Sequence, residues 1–82
     1  MGDSPDTVTA KLFAGLELKT RERRATCGFS PAETPSVGAL KARLGLELGA
    51  AGITLVNGVH ASDDTALGPG DEVSLFPPLG GG

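Results

Sequence analysis

Three stretches of the chain alternate between apolar and polar residues, a period of two that predicts half-buried β-strands. They are residues 7–13, 24–29 and 72–76. The apolar residues that fall in phase are Val8, Ala10 and Leu12, then Ala25, Cys27 and Phe29, and finally Val73 and Leu75. The first two stretches are separated only by a charged connection, so we expect them to form a hairpin.

A helical pattern follows the second strand. Val37, Leu40 and Leu44 are spaced to share one face of a helix. Ser36 is a good N-cap because its hydroxyl can accept a bond from an unpaired backbone N–H, and Gly45 suits the left-handed residue after the last turn. The predicted helix has about nine residues, too few to persist without packing on a sheet.

The second half of the chain predicts three more short elements. Residues 53–56 are typical of a buried strand, and Asn57-Gly58 is a strong signal for a type I′ hairpin turn. Residues 59–61 would be the return strand, and residues 68–71 form a tight turn before the last strand.

The order of these elements predicts an α+β fold with one helix packed across one face of a mixed sheet of four to five strands. The helical crossover requires the first and last strands to pair in parallel at the centre, which is the ubiquitin-like β-grasp. We therefore expect a flexible leader over residues 1–6, a β-grasp domain over 7–76 and an extended tail over 77–82.

Composition excludes several classes of function. Seven Lys and Arg against ten Asp and Glu give a net charge of -3, which argues against nucleic acid as a partner and against a polybasic membrane anchor. With one cysteine, Cys27, and one histidine, His60, we expect no disulfide, no metal site and no catalytic triad. The sequence predicts a cytoplasmic domain without catalytic residues of its own.

The end of the chain has an unusual composition. Of the 13 glycines, three stand together as Gly80, Gly81 and Gly82, and they follow Phe76-Pro77-Pro78-Leu79. Two prolines favour an extended exit from the sheet, and glycines can pass through a narrow channel because they carry no Cβ. The six residues 77–82 span about 20 Å at most when extended.

At these positions the chain resembles the MoaD/ThiS family of β-grasp sulfur carriers. The match lies in residues 11–14, 36–40, 55–58 and, most specifically, in 68–78 leading into the terminal glycines. Phe-Pro-Pro before the glycines is closer to the small subunit of molybdopterin synthase. The short segment between the helix and the third strand is closer to the thiamine-type carriers.

The resemblance implies a protein co-substrate rather than an enzyme. A ubiquitin-activating-like adenylyltransferase, which consumes ATP, would adenylate the carboxylate of Gly82, and sulfur from a persulfide donor would convert it to a thiocarboxylate. A sulfur-accepting synthase subunit would then use that sulfur to make molybdopterin, tungstopterin or the thiazole of thiamine. No cofactor is bound permanently. Gly80 and Gly81 would thread the tail, and the residues expected to dock on the partner are Phe76, Pro77, Pro78 and Leu79.

Several alternatives remain open from the sequence. The same activated carboxylate could be joined to lysines, which would make the chain a ubiquitin-like modifier, or the tail could be passive on an interaction module. Phe76 lies on the outer face of its strand, where it would either anchor a partner or pack on neighbouring side chains. Phe13 and Val59 are candidates for the same apolar patch. Cys27 is expected to be buried and inert, and His60 to be exposed.

Overall fold

A computed structural model of the chain describes residues 6–47 and 49–78. Five strands and one α-helix account for the regular structure of these residues, together with a short 3₁₀ helix at Leu16–Lys19. The elements are β1 (Val8–Leu12), β2 (Thr26–Phe29), α1 (Val37–Leu44), β3 (Ile53–Val56), β4 (Val59–His60) and β5 (Glu72–Phe76).

The strands form one mixed sheet in the order β2-β1-β5-β3-β4. β1 and β5 pair in parallel, whereas the other neighbouring strands are antiparallel. The predicted β-grasp, with the first and last strands paired near the centre, is therefore confirmed. Because β5 has a partner on each side, the strand that leads into the tail is held on both edges.

The helix is bounded as its sequence predicts. The Ser36 hydroxyl accepts a hydrogen bond from the Ala39 N–H at 3.2 Å, and Gly45 ends the helix with a φ of 81°. The predicted apolar face is fully buried, with Val37, Leu40 and Leu44 all at 0% exposure.

That helix face and one face of the sheet form a single core. The sheet contributes alternate residues of β1, β2 and β5. The buried strand residues are Val8, Ala10, Leu12, Cys27, Phe29, Val73 and Leu75. With its only α-helix on this side, the described part of the chain leaves the other face of the sheet uncovered.

Two sequence predictions of burial are wrong. Ala25 precedes β2 and is exposed at the edge of the sheet, where only its carbonyl takes part in the ladder by accepting the Leu12 N–H at 2.8 Å. β3 is not buried on both faces: Thr54 is buried, whereas Ile53 and Leu55 are half-buried. They point away from Thr54, toward the face that the helix does not cover.

The sequence analysis also missed two core residues, Leu16 and Leu67. Leu16, in the connection between β1 and β2, is 1% exposed and belongs to the core. It lies at the start of the 3₁₀ helix, so the connection covers one end of the core instead of extending into solvent.

Candidate functional site

An apolar patch lies on the uncovered face of the sheet, beside the end of β5. The rings of Phe13 and Phe76 stack there with centroids 4.7 Å apart and planes inclined by 10°. Ile53 pairs with Phe76 across the β3–β5 ladder, and Leu55 follows two residues along β3 on the same face. We call these four residues the outer apolar patch. Phe13 is 39% exposed, so the patch is accessible to a partner.

The structure resolves the two readings of Phe76 in part. Its ring does pack on a neighbouring side chain, Phe13, and that pair remains open to one side. Val59 does not join them. It pairs with Val56, which pairs with Val73 of the buried core, so Val59 lies on the helix side of the sheet although it is 68% exposed.

The rest of this sheet face is polar. Along β1 and β5 the residues in phase with Phe13 and Phe76 are Thr9, Lys11, Glu72 and Ser74. Lys11 Nζ and Glu72 Oε2 form an ion pair at 2.8 Å, with both side chains nearly half exposed. The outer apolar patch is thus bordered by a charged pair on the side away from the tail.

The tail begins directly beside the patch. The carbonyl of Phe76 accepts a hydrogen bond from the Gly52 N–H at 2.8 Å, which extends the β3–β5 ladder by one step. Pro77 is half-buried and Pro78 is exposed. Leu79, predicted to dock, Gly80 and Gly81, predicted to thread the tail, and Gly82, predicted to form the acyl group, all lie outside the described residues.

Asn57, Gly68 and Asp71, which belong to the sequence motifs farther from the tail, stabilise the fold by hydrogen bonds. The Asp71 carboxylate accepts hydrogen bonds from the Gly68 N–H at 2.8 Å and from the Asn57 side-chain amide at 3.0 Å. The side-chain oxygen Oδ1 of Asn57 in turn accepts a hydrogen bond from the Glu72 N–H at 3.0 Å. We call this network the turn latch, because it joins the β3–β4 turn to the turn before β5. The Gly68 N–H, and then the Asn57 amide, lower the pKa of the Asp71 carboxyl.

The turn latch and the tail lie at opposite ends of β5. Asp71 precedes the strand and Phe76 ends it, so about 17 Å of extended chain separates them. Asn57 and Gly58 adopt positive φ angles of 52° and 84°, as the predicted type I′ turn requires. The Asn-Gly and Gly-Pro-Gly-Asp sequences therefore stabilise the fold at the end of β5 opposite the tail.

Cys27 is buried and His60 is exposed, as the sequence predicts. Cys27 is 7% exposed, and burial, followed by the nearby Glu22 carboxylate, raises the pKa of its thiol. A thiol in that state is a poor nucleophile at neutral pH. His60 is exposed on β4. Within residues 6–47 and 49–78, His, Cys, Asp and Glu side chains form no group that could hold a metal ion.

No helix in the described parts of the chain is long and apolar enough to cross a membrane.

Comparison with known proteins agrees with this geometry. The model of the ThiS family matches residues 12–82, which is most of the chain and includes the tail. The chain belongs to the ThiS family. No curated protein matches this ThiS-family chain.

Solved structures share the fold over nearly their whole length. SAMP1 from Haloferax volcanii is 30% identical, with a TM-score of 0.69, over 93% of this chain and 99% of that one. A second structure, H. volcanii small archaeal modifier protein 1, is 26% identical, with a TM-score of 0.66, over 89% of this chain and 98% of that one. Urm1 from Trypanosoma brucei, at 20% identity, supports the fold alone, with a TM-score of 0.66 over 94% of this chain and 96% of that one.

The family assignment confirms the predicted resemblance to β-grasp sulfur carriers. Small ubiquitin-like carriers of the ThiS type are not themselves enzymes. Their family points to two classes of partner, E1-like activating enzymes and sulfur-transfer proteins.

Sequence reasoning missed Gly52 and two members of the outer apolar patch, Ile53 and Leu55, as parts of the site. The segment Ile53–Val56 has apolar residues in both phases, so its alternation does not reveal which side faces out. Gly52 stands in a connection of small residues that gives no pattern. Only the pairing of β3 with β5 places Ile53 and Leu55 on the outer face and brings Gly52 to the tail exit.

Proposed function

We propose that this chain is a sulfur carrier that presents the Gly82 carboxylate to an E1-like activating enzyme. The carboxylate attacks the α-phosphate of ATP, giving an acyl adenylate and pyrophosphate. The outer sulfur of a persulfide donor then attacks the acyl carbon and displaces AMP, which leaves an acyl disulfide. A second thiol cleaves that disulfide, so that the donor's inner sulfur leaves as part of a new disulfide and the chain keeps a thiocarboxylate, which donates its sulfur to a synthase subunit that makes a cofactor. The observation that carries the proposal is the ThiS-family match, which continues through the tail to residue 82.

The geometry of the body supports presentation of a tail. β5 is hydrogen-bonded on both edges by β1 and β3, so the last strand is a rigid base for Pro77 and Pro78. Beyond Pro78, residues 79–82 reach about 14 Å at most. A nucleotide-bearing partner must therefore bind the body close to the tail exit, and the outer apolar patch is the apolar surface at that place.

We accordingly assign docking to the outer apolar patch together with Pro77, Pro78 and Leu79, and threading to Gly80 and Gly81. Aromatic side chains that are partly exposed are typical anchors of protein interfaces. The Lys11–Glu72 ion pair gives that interface a polar border. The partner we assign to this surface is the activating enzyme, because the patch and the tail exit are adjacent.

The first step can be tested separately from sulfur transfer. Incubation with an E1-like enzyme and ATP should release pyrophosphate. Addition of a persulfide donor and a thiol reductant should then replace one oxygen by sulfur in the C-terminal peptide, as seen by intact mass. Deleting Gly82 leaves a diglycine but shortens the reach by about 3.5 Å. We expect that deletion to abolish most adenylation.

Deletion of Gly2 is a matched control, because it removes the same residue type from the other end of the sequence. Equal adenylation of the two deletion variants would show that the third glycine is dispensable. Failure of the unaltered chain to take up sulfur with active enzymes would refute the carrier function.

The acceptor of the sulfur follows from the same preparation. The thiocarboxylate form can be offered to molybdopterin-type and thiazole-type synthases in parallel. Turnover with only one of them identifies the pathway, whereas no turnover with either would remove cofactor synthesis from the proposal.

A second candidate function is conjugation to proteins. It is favoured by the relationship to H. volcanii small archaeal modifier protein 1, which is described as a modifier and is 26% identical over 98% of its chain. In that case a lysine amine attacks the acyl adenylate of Gly82, displaces AMP, loses a proton and forms an isopeptide bond. Adducts in cells that disappear when the C-terminus is blocked would support conjugation, and their absence would leave sulfur transfer as the sole role.

A further inference from the structure

Gly52 and Pro78 approach each other closely at the point where the tail leaves the sheet. A Cβ placed on Gly52 would lie 2.4 Å from Pro78 Cα and 2.9 Å from Pro78 N. Both are backbone atoms, so a change of side-chain rotamer cannot relieve the contact. Gly52 is absent from the glycines with positive φ, so the demand here is for space rather than for an unusual backbone conformation.

Other glycines of the body make weaker demands. A Cβ on Gly38 would meet the Asp63 carbonyl oxygen at 3.2 Å, and one on Gly45 would meet the flexible side chain of Arg21. Gly68 has open space around it and no positive φ. The tail exit is therefore a place where the fold needs the bare backbone of a glycine.

The prolines explain why this contact matters for the tail. Proline has no N–H, so neither Pro77 nor Pro78 can donate a backbone hydrogen bond that would hold it in place. The last donor–acceptor bond of the β3–β5 ladder is the one from the Gly52 N–H to the Phe76 carbonyl at 2.8 Å. One step beyond it, packing against Gly52 fixes the position of Pro78.

We propose that Gly52 is a positioning residue for the tail: its bare backbone seats Pro78 and so sets where the chain leaves the body on its way to the activating enzyme. This inference rests on the proposed carrier function. It goes beyond that function by placing a determinant of acyl activation in the connection before β3, outside the tail itself.

The structure gives the size of the effect. Ordinary van der Waals contact begins at 3.4 Å, so an alanine at position 52 would have to displace Pro78 by about 1 Å. A misplacement of about 1 Å can reduce the rate of an enzyme-catalysed reaction by about 100-fold. The four residues 79–82 will absorb part of that shift, so we expect kcat for adenylation to fall about 10-fold or more.

The test compares Gly52→Ala with Gly68→Ala in adenylation by an E1-like enzyme, followed as pyrophosphate release. We expect Gly52→Ala to lower kcat while KM stays close to that of the unaltered chain, because the outer apolar patch is intact. Gly68→Ala should leave both constants unchanged. Thermal unfolding of each variant shows whether the assay temperature lies below its Tm.

The results of this assay distinguish failure of the carrier function from failure of the positioning role of Gly52. No adenylation of the unaltered chain would overturn the proposed function itself. Normal kcat in Gly52→Ala, or a raised KM with normal kcat, would overturn the positioning role and leave the carrier function standing.

A second variant covers the case in which Gly52→Ala does not fold. Pro78→Gly keeps the backbone atoms that approach Gly52 but removes the ring, which fixes φ at this residue and so the direction of the tail beyond it. Because Pro78 is exposed, the body should fold normally. Like Gly52→Ala, it should lower kcat for adenylation, and an unchanged kcat would count against the positioning of the tail at Pro78.

Discussion

Asp71→Ala removes the centre of the turn latch at the end of the sheet opposite the tail. The carboxylate accepts the Gly68 N–H at 2.8 Å and the Asn57 amide at 3.0 Å, and both bonds are lost in the variant. Asn57 then keeps its two bonds to the Glu72 backbone but has no bond to the turn before β5, so the β3–β4 turn is less firmly held against that turn.

The expected loss follows from those two bonds. Both bonds are to a charged carboxylate, and a buried bond of that kind contributes about 1.5–3 kcal/mol net to the free energy of unfolding, whereas a bond between neutral groups contributes about 0.5–1.5 kcal/mol. Because the latch is partly open to solvent, we expect a combined loss of about 2 kcal/mol. For a domain of this size, about 4–8 °C of Tm is lost per kcal/mol, so Tm should fall by about 8–16 °C.

Urea unfolding and thermal unfolding at neutral pH measure this loss, and adenylation measured well below Tm separates it from function. We expect normal kcat and KM, because about 17 Å of strand separates the latch from the tail exit. Asn57→Ala should cause a loss that is not additive with that of Asp71→Ala, since both variants remove the same bond. A loss below about 0.5 kcal/mol, or fully additive losses, would refute this account of the latch.

The latch also predicts a pH dependence. The folded-state pKa of Asp71 is lowered by the Gly68 N–H and the Asn57 amide, so the ionised carboxylate favours the folded state. Its contribution is fully present above the unfolded pKa of about 3.9 and is lost as pH falls through the lower folded value. The stability difference between the unaltered chain and Asp71→Ala should therefore shrink in acid. A difference that grows as pH falls would contradict the assignment.

Two further predictions concern the outer face and the buried thiol. Phe13→Ser removes one ring of the stacked pair, so the Kd for the activating enzyme, measured by calorimetry, should rise about 10-fold. The control is Leu18→Ser, which changes a side chain 62% exposed outside the outer apolar patch and should leave that Kd unchanged. Equal effects of the two variants would argue that the patch is not the docking surface. Cys27→Ala should leave thiocarboxylate formation intact, as intact mass will show, because the thiol is buried and its pKa is raised. Loss of sulfur uptake in a folded Cys27→Ala would instead give the thiol a role in transfer.

Local signals in the sequence were sufficient for most of the fold. The helix begins after Ser36 and ends at Gly45 as predicted, because capping depends on hydrogen bonds and φ angles within one or two turns. The alternation of apolar and polar residues likewise showed that Val8, Ala10 and Leu12 form the buried face of β1, because successive side chains of a strand point to opposite faces of the sheet. The element order then left the parallel pairing of β1 and β5 as the compact arrangement.

The sequence by itself thus determined the helix, the strands, their order and the family signature that ends in the glycine tail. Only the tertiary structure decided that Phe13 stacks on Phe76, that Val59 lies on the other side of the sheet, and that Gly52 touches Pro78. These contacts join residues from opposite ends of the chain or from separate strands, and they depend on the register between strands. Register is set by packing of the whole core, which no local pattern of residues contains.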